Sequence, residues 1–388
     1  MKIAIEAEYI SPGGTGVHRY ARSLIRSYLA LPEAYEIVSL SNSAIRQLSP
    51  SDITDISAHS TPTPPNALTR LKRNLIHPLF RHPTFFAAYS SLAAAKFRLN
   101  LSRTQSGLFH ALNYMPHGTS AQLSAPVVPV VYDCSLARFP ETHPVARHRA
   151  MQRLPSFLEK APLIQTISEF SRNEIIDVYG VPKDRIEIII PGISDIFSEP
   201  ATSAPATLAN LDLTTDQFFL CVGTLEPRKN LKTVLRAHRA LPKRTRTSFP
   251  LVLVGASGWG DTSEFALTTE EQSDRSIRVA GYLSDGSIRD LYATCRAFLF
   301  PSLYEGYGLP VREALAAGAP VAISAAPVLQ EAADGHARIL PTDDFSAWAA
   351  YLGEAAETNA QRSRVPPPTW DRAAHELHAL YRKVFKQI

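Results

Sequence analysis

The chain is short of the residues that build small disulfide scaffolds: its 388 residues include three cysteines, Cys134, Cys221 and Cys295. Each lies singly in or beside an apolar strand-like stretch and no spacing suggests zinc, so reduced core residues of a cytoplasmic protein are the expectation. Long apolar runs are missing too. None approaches the ~18 residues of a membrane-spanning helix, and the opening Met1-Lys-Ile-Ala-Ile-Glu-Ala-Glu lacks the n-region and apolar h-region of an export signal. No Asp-x-Asp occurs anywhere, which leaves no obvious holder for a divalent metal, and neither a metal nor another cofactor is expected. Acidic side chains are absent from the 77 residues between Asp55 and Asp133. Within that gap Arg70, Lys72, Arg73, Arg81, Lys96, Arg98 and Arg103 are interleaved with Leu71, Leu75, Leu79, Phe80, Phe85, Phe86, Tyr89 and Phe97. The pattern suits an anionic membrane surface, and equally an ordinary solvated basic face with its aromatics turned inward. Nucleic acid is not expected as a partner, because no nucleic-acid module is visible and the formal net charge is only +4.

What is present suits a large α/β protein. An apolar content of 45% over this length fills two cores, and strand-like runs alternate with helical ones throughout, the signature of parallel sheets. A first domain over residues 1–192 and a second over 216–369 are expected. Between them lies a linker, 193–215, inside the loose stretch from Pro191 to Thr215. A C-terminal segment, 370–388, contains a helix from about Arg372 to Phe385.

The densest pattern is Pro301-Ser-Leu-Tyr-Glu-Gly-Tyr-Gly-Leu-Pro-Val-Arg-Glu-Ala-Leu-Ala-Ala-Gly318. A buried strand from Cys295 to Pro301 runs into a loop where Gly306 and Gly308 admit a close backbone approach to a ligand. Pro310 suits the first turn of a helix and Gly318 the position just past its end. Glu305 falls on the loop and Glu313 in the first helical turns, at the strand edge where open α/β sheets bind ligands. An ionised carboxylate accepts up to four hydrogen bonds and so grips paired sugar hydroxyls. Alone, the pair also reads as a solvated loop acid and a residue favouring the helix dipole.

A second pattern, Phe218-Phe-Leu-Cys-Val-Gly-Thr-Leu-Glu-Pro-Arg-Lys-Asn230, ends a strand at Gly223 and brings Arg228 and Lys229 to a helix start capped by Asn230. Leu231, Val234, Leu235 and His238 share one face of that helix. Cations before a helix N-terminus are unfavourable on their own, and an Arg fork with a Lys beside free N–H groups suits a diphosphate. Near the N-terminus, Gly13, Gly14 and Gly16 make a flexible strand-to-helix loop of the phosphate-approaching kind.

In order along the chain, these patterns resemble the landmarks of retaining glycosyltransferases of family 4, which have the two-domain GT-B fold. The series comprises Gly-Gly-Thr-Gly-Val-x-Arg-Tyr20, Phe109-His-Ala-Leu-Asn-Tyr114, Thr166-Ile-Ser-Glu-Phe-Ser171 and Ile190-Pro-Gly-Ile193. Gly223-Thr-x-Glu-Pro-Arg-Lys-Asn230, Leu253-Val-Gly-Ala-Ser-Gly-Trp259, Gly281-Tyr-Leu-Ser-Asp285 and Glu305-x7-Glu313 complete it. The resemblance implies two Rossmann-like domains facing a cleft, the first for an acceptor and the second for a nucleotide-sugar donor, with the C-terminal helix crossing back near Trp370. It implies that Arg228 and Lys229 hold the donor diphosphate, Glu313 the ribose and Glu305 the transferred sugar. Gly223, Gly255, Tyr282, Leu283, Gly306, Tyr307, Gly308 and Leu309 would line the donor site, and the Gly13–Gly16 loop would close on it. His110, Tyr114, Tyr132 and Asp133 fall on the acceptor side. Catalysis would rest on Glu305, Asp133, Arg228 and Lys229. The segment Pro129-Val-Val-Tyr-Asp133 departs from the family, which usually has His-Asp where this chain has Tyr132-Asp133. The implied activity is sugar transfer, with mannose or a deoxymannose from a GDP-sugar preferred, onto a growing glycan or lipid-linked acceptor of a surface polysaccharide such as O-antigen. It would take place in the cytoplasm or on the inner membrane face. A nucleotide-sugar 2-epimerase of the same fold and a catalytically inactive nucleotide-sugar scaffold are the alternatives.

Overall fold

Alternating apolar strands and helices assemble into two parallel sheets in the computed structural model, which describes residues 1–11, 16–41, 44–53, 83–114, 123–143, 148, 151–256, 258 and 267–387. The first sheet holds β1 (Lys2–Glu6), β2 (Glu36–Leu40), β3 (Ile45–Gln47), β4 (Leu108–Ala111) and β5 (Val127–Pro129) in the order β3-β2-β1-β4-β5. Only the β2–β3 pairing is antiparallel. A parallel pair, β6 (Ile164–Thr166) and β7 (Ile186–Ile188), continues this domain, with Val130 bridging to Gln165. The second sheet holds β8 (Phe219–Val222), β9 (Leu251–Val254), β10 (Ile277–Gly281), β11 (Ala297–Phe300), β12 (Val321–Ser324) and β13 (Arg338–Leu340). Its order is β10-β9-β8-β11-β12-β13, all parallel. Every residue of β9 and β11 is buried, as expected of strands covered by helices on both faces.

Winding reverses between β1 and β4 in the first sheet and between β8 and β11 in the second. Ligands of such sheets sit outside the carboxyl ends of the strands at these reversal points. The loops after β8 and β11 are the two that carry Arg228, Lys229 and Glu305.

The helix Trp370–Gln387 returns to the first domain. Ala373, Ala374, Leu377, Leu380, Tyr381 and Val384 recur at helical spacing and join the core of Ile3, Ile5 and Leu24. Gly192 marks the crossing: a Cβ there would lie 2.4 Å from the Trp370 nitrogen, and the Ile193 amide donates to the Pro368 carbonyl at 2.9 Å. The expected linker is no loose tether. Within 193–215 a helix forms over Ala204–Leu211, and Ile193, Phe197 and Leu208 bury into the second domain's core. Apolar residues spaced through the small polar ones supply that anchorage.

The domains meet through the loop after β11. Tyr304 packs against Phe139 and Phe170, and its hydroxyl accepts from the Cys134 amide at 2.9 Å. The Gly306 carbonyl accepts from the Ser168 and Ser171 hydroxyls at 2.7 and 3.0 Å. A Cβ on Gly306 would lie 2.5 Å from the Tyr132 carbonyl oxygen. This glycine thus admits the opposite domain's backbone on the side a Cβ would occupy. Glu331 accepts at 2.8 Å from the amides of Glu169 and Phe170, so one domain caps a helix of the other.

Candidate active site

Helix Leu309–Ala317 starts at Gly308 and ends at Gly318, both with positive φ, with Pro310 in its first turn. This fixes Glu305 on the preceding loop and Glu313 within the helix, 8% and 5% exposed. Arg228 and Lys229 occupy a single 3-10 turn, Pro227–Lys229, before the helix Leu231–Arg239. Asn230 departs from the expected cap. Its backbone is left-handed and its side chain makes no bond to the helix amides; instead it donates to the Pro301 and Thr342 carbonyls and accepts from the Thr233 hydroxyl. The asparagine therefore ties the turn to the end of β11, which holds the two cations against the Glu305 loop.

Glu305 meets both of them. Lys229 Nζ is 2.6 Å from Oε1 and Arg228 Nη1 is 3.1 Å from Oε2, while Arg228 Nη2 is 2.7 Å from Glu226. Lys229 also lies 5.0 Å over the Phe300 ring. Burial pushes the Glu305 carboxyl up, but Arg228 and Lys229 more than reverse this and hold it down at about 2. Burial likewise works against a charged Arg228, yet Glu305, Asp133 and Glu226 keep it firmly protonated. Two cations and a carboxylate are thus locked together at the mouth of the reversal point. An entering anion would share these cations with Glu305.

Glu313 lies apart from that cluster. Its cationic partner comes from the first domain: Arg19 Nη2 is 3.6 Å from Oε1, and Arg19 Nη1 is 3.1 Å from Asp285. Burial raises the Glu313 carboxyl above its ordinary value, Asp285 adds to the rise, and Arg19 opposes it.

Across the cleft, Asp133 Oδ1 accepts from the Tyr114 hydroxyl at 3.0 Å, the Ser135 amide at 2.9 Å and the Ser135 hydroxyl at 2.7 Å. His143 Nε2 is 3.0 Å from the same hydroxyl. Two other acceptor-side expectations are corrected. His110 is fully buried on β4, its Nδ1 2.7 Å from the Tyr381 hydroxyl, and burial pushes its pKa down to about 3. Tyr132 is 6% exposed and donates to the Leu112 carbonyl at 2.7 Å. Both are core residues, His110 within the buried strand β4 and Tyr132 in the buried segment that follows β5.

Of the remaining donor-side residues, Gly223 ends β8 and Gly255 follows β9, with their backbones in contact. Tyr282 is 68% exposed after β10, Leu283 packs partly into the second core, and Tyr307 joins the first domain's core. Gly16 begins the helix Gly16–Leu29 and Leu309 begins the helix bearing Glu313; Gly13 and Gly14 lie outside the described residues. Among the described residues no group of three or more His, Cys, Asp or Glu side chains is arranged to hold a metal. Arg19, Glu226, Asp285 and Glu331 were not singled out from the sequence. Arg19 and Asp285 stand inside recognised stretches, but nothing local shows that they meet.

Known proteins resemble this chain across both domains. The sequence model described as Glycosyltransferase Family 4 matches residues 14–195, and that of Glycosyl transferases group 1 matches residues 208–365. O-antigen chain mannosyltransferase B of Escherichia coli is 32% identical over 371 residues, spanning 93% of this chain and 92% of that one. Among solved structures, HepE of Anabaena in complex with UDP and glucose superposes with a TM-score of 0.66 at 15% identity, over 98% of this chain and 99% of that chain. WaaG, a glycosyltransferase involved in lipopolysaccharide biosynthesis, gives 0.60 at 16% identity, over 98% and 95%.

Proposed function

Because the chain belongs to the family 4 glycosyltransferases, enzymes of the two-domain GT-B fold, we propose that it transfers mannose or a deoxymannose from a GDP-sugar, with retention, to a growing surface glycan or lipid-linked acceptor. The observation that supports this most strongly is the convergence of Arg228, Lys229 and Glu305 at the β8/β11 reversal point, facing Asp133. It occurs in a chain aligned almost end to end with an O-antigen mannosyltransferase.

The chemistry follows from where charge develops. As the bond from the anomeric carbon to the diphosphate oxygen breaks, positive charge grows on the sugar and negative charge on the diphosphate. Arg228 and Lys229 are fixed in place to take up the latter, a service that costs no reorganisation at the moment of reaction. The acceptor hydroxyl forms its new bond on the face the diphosphate leaves, and its proton passes to a departing phosphate oxygen. Asp133, held through Oδ1, orients that hydroxyl. Glu313 receives the ribose and Glu305 the transferred sugar. No metal takes part in this scheme.

The acceptor side favours a lipid-linked glycan. On the helix Pro83–Thr104, Leu92, Lys96, Leu99 and Arg103 follow one face and are exposed, Leu92 at 72% and Leu99 at 50%. Phe97 turns the other way, 5.3 Å edge-on to Phe109 in the core. Arg70, Lys72, Arg73 and Arg81 lie outside the described residues, and no described helix is long and apolar enough to cross a membrane. The exposed face suits peripheral docking on anionic lipid.

Thermal shift and calorimetry against GDP, UDP and their sugars test the donor, because a bound ligand raises apparent stability by mass action. GDP and GDP-mannose should stabilise the protein more than the uridine compounds. A preference for UDP-sugars would overturn the donor assignment. Flotation with anionic vesicles at low salt tests the membrane face, and no binding there would remove it.

A further inference from the structure

The pocket proposed for the nucleoside belongs to the second domain, yet the carboxylate proposed for its ribose is paired from the first. Arg19 stands in the first turn of the helix Gly16–Leu29, which has no acidic residue in that turn. A cation at a helix N-terminus is unfavourable, so its charge is answered from elsewhere. Asp285 at 3.1 Å and Glu313 at 3.6 Å supply that answer, both from the opposite domain. The guanidinium spans the two carboxylates, one with each terminal nitrogen. Its outer flank lines a cavity of about 690 Å³ bounded by Arg26, Asp195 and Trp370, so solvent reaches the bridge from that side.

We infer that Arg19 is a positioning residue for the donor nucleoside, which holds Glu313 ionised and oriented and so makes ribose binding in one domain depend on closure of the other. The inference rests on the reading that Glu313 receives the ribose hydroxyls. Three groups face this carboxylate: Arg19 from the first domain, and Asp285 and the Tyr292 hydroxyl from the helix Asp285–Thr294. Burial and Asp285 both favour a protonated Glu313, and Arg19 is the chief influence against it. A protonated carboxyl keeps one donor and loses acceptor strength towards paired hydroxyls. The sign is therefore fixed. Ribose affinity is present above the Glu313 pKa and lost as pH falls through it, and removing Arg19 moves that loss to higher pH. Separation of the domains has the same effect, because it takes the guanidinium away.

The test is calorimetric titration of GDP from pH 5.5 to 8.5 into wild type, R19A, R19K, E313Q and the double variant R19A/E313Q. R19A should bind GDP about tenfold more weakly at pH 7, with its acid-side loss of affinity beginning at higher pH than in wild type. R19K, which keeps the charge without the fork, should recover the wild-type pH profile with part of the affinity. The double variant should bind no worse than E313Q, because Arg19 acts through that carboxylate. If E313Q weakens GDP binding while R19A follows wild type at every pH, or if the double variant loses the sum of both effects, the inference is overturned and the ribose reading stands. If E313Q binds as tightly as wild type, the ribose reading fails and the inference with it.

Discussion

Replacing Glu305 by glutamine should tighten binding of the free nucleoside diphosphate while slowing sugar transfer. The carboxylate is 8% exposed and is shared between Lys229 at 2.6 Å and Arg228 at 3.1 Å. Its pKa of about 2 against an ordinary 4.5 corresponds to about 3 kcal/mol of stability. A depressed carboxyl pKa gives stability that is present above pH 4.5 and is lost as pH falls through about 2. The same size is expected from the other direction, since removing one member of a buried pair costs roughly 3–5 kcal/mol, and Glu226 remains 2.7 Å from Arg228 to soften the loss. E305Q should therefore be destabilised by about 3 kcal/mol without ligand. A diphosphate supplies the missing negative charge. If it restores half or more of that loss, GDP affinity rises about tenfold or more, because about 1.4 kcal/mol is a factor of ten. Turnover should fall, because glutamine is a poorer acceptor for the hydroxyls of the transferred sugar. Calorimetry with GDP, urea denaturation and initial rates measure the three quantities. Wild-type stability together with unchanged or weaker GDP affinity in E305Q would refute the counter-ion account.

Two further substitutions separate the domain interface from the chemistry. Gly306→Ala places a methyl 2.5 Å from the Tyr132 carbonyl oxygen, so it should cost about 1–3 kcal/mol or hold the cleft open; urea denaturation and small-angle scattering report which, and a variant unchanged in both contradicts the packing. Tyr132→Phe should cost about 1 kcal/mol for the lost bond to the Leu112 carbonyl. It should leave the pH–rate profile in place, because burial pushes this phenol far above the neutral range; a displaced profile would return Tyr132 to the catalytic chemistry.

The donor loop was legible in the sequence because its constraints are local. Gly308, Pro310 and Gly318 set where a helix begins and ends, and that decides the places of Glu305 and Glu313 whatever surrounds them. Arg228 and Lys229 were legible for a related reason, as cations placed before a helix start. The partners were not legible. Glu305 meets the two cations across the β8/β11 reversal point, and Arg19 reaches Glu313 only because the domains face each other. No period or turn signal encodes such meetings. His110 and Tyr132 were misplaced on the acceptor side for the converse reason: a polar residue on or just past a strand reads alike whether it looks into a cleft or into the core, and both bond inward, to the Tyr381 hydroxyl and the Leu112 carbonyl. The small polar residues of 193–215 concealed the anchors Ile193, Phe197 and Leu208.

The most direct test is the stereochemistry of transfer. The protein is incubated with GDP-α-mannose and a mannose-terminated acceptor in the presence of EDTA, and the product linkage is read by nuclear magnetic resonance alongside GDP release. An α-linked mannoside formed in step with GDP, at a rate EDTA does not change, is the predicted result. A β-linked product, loss of transfer on chelation, or sugar turnover that needs no acceptor would contradict it.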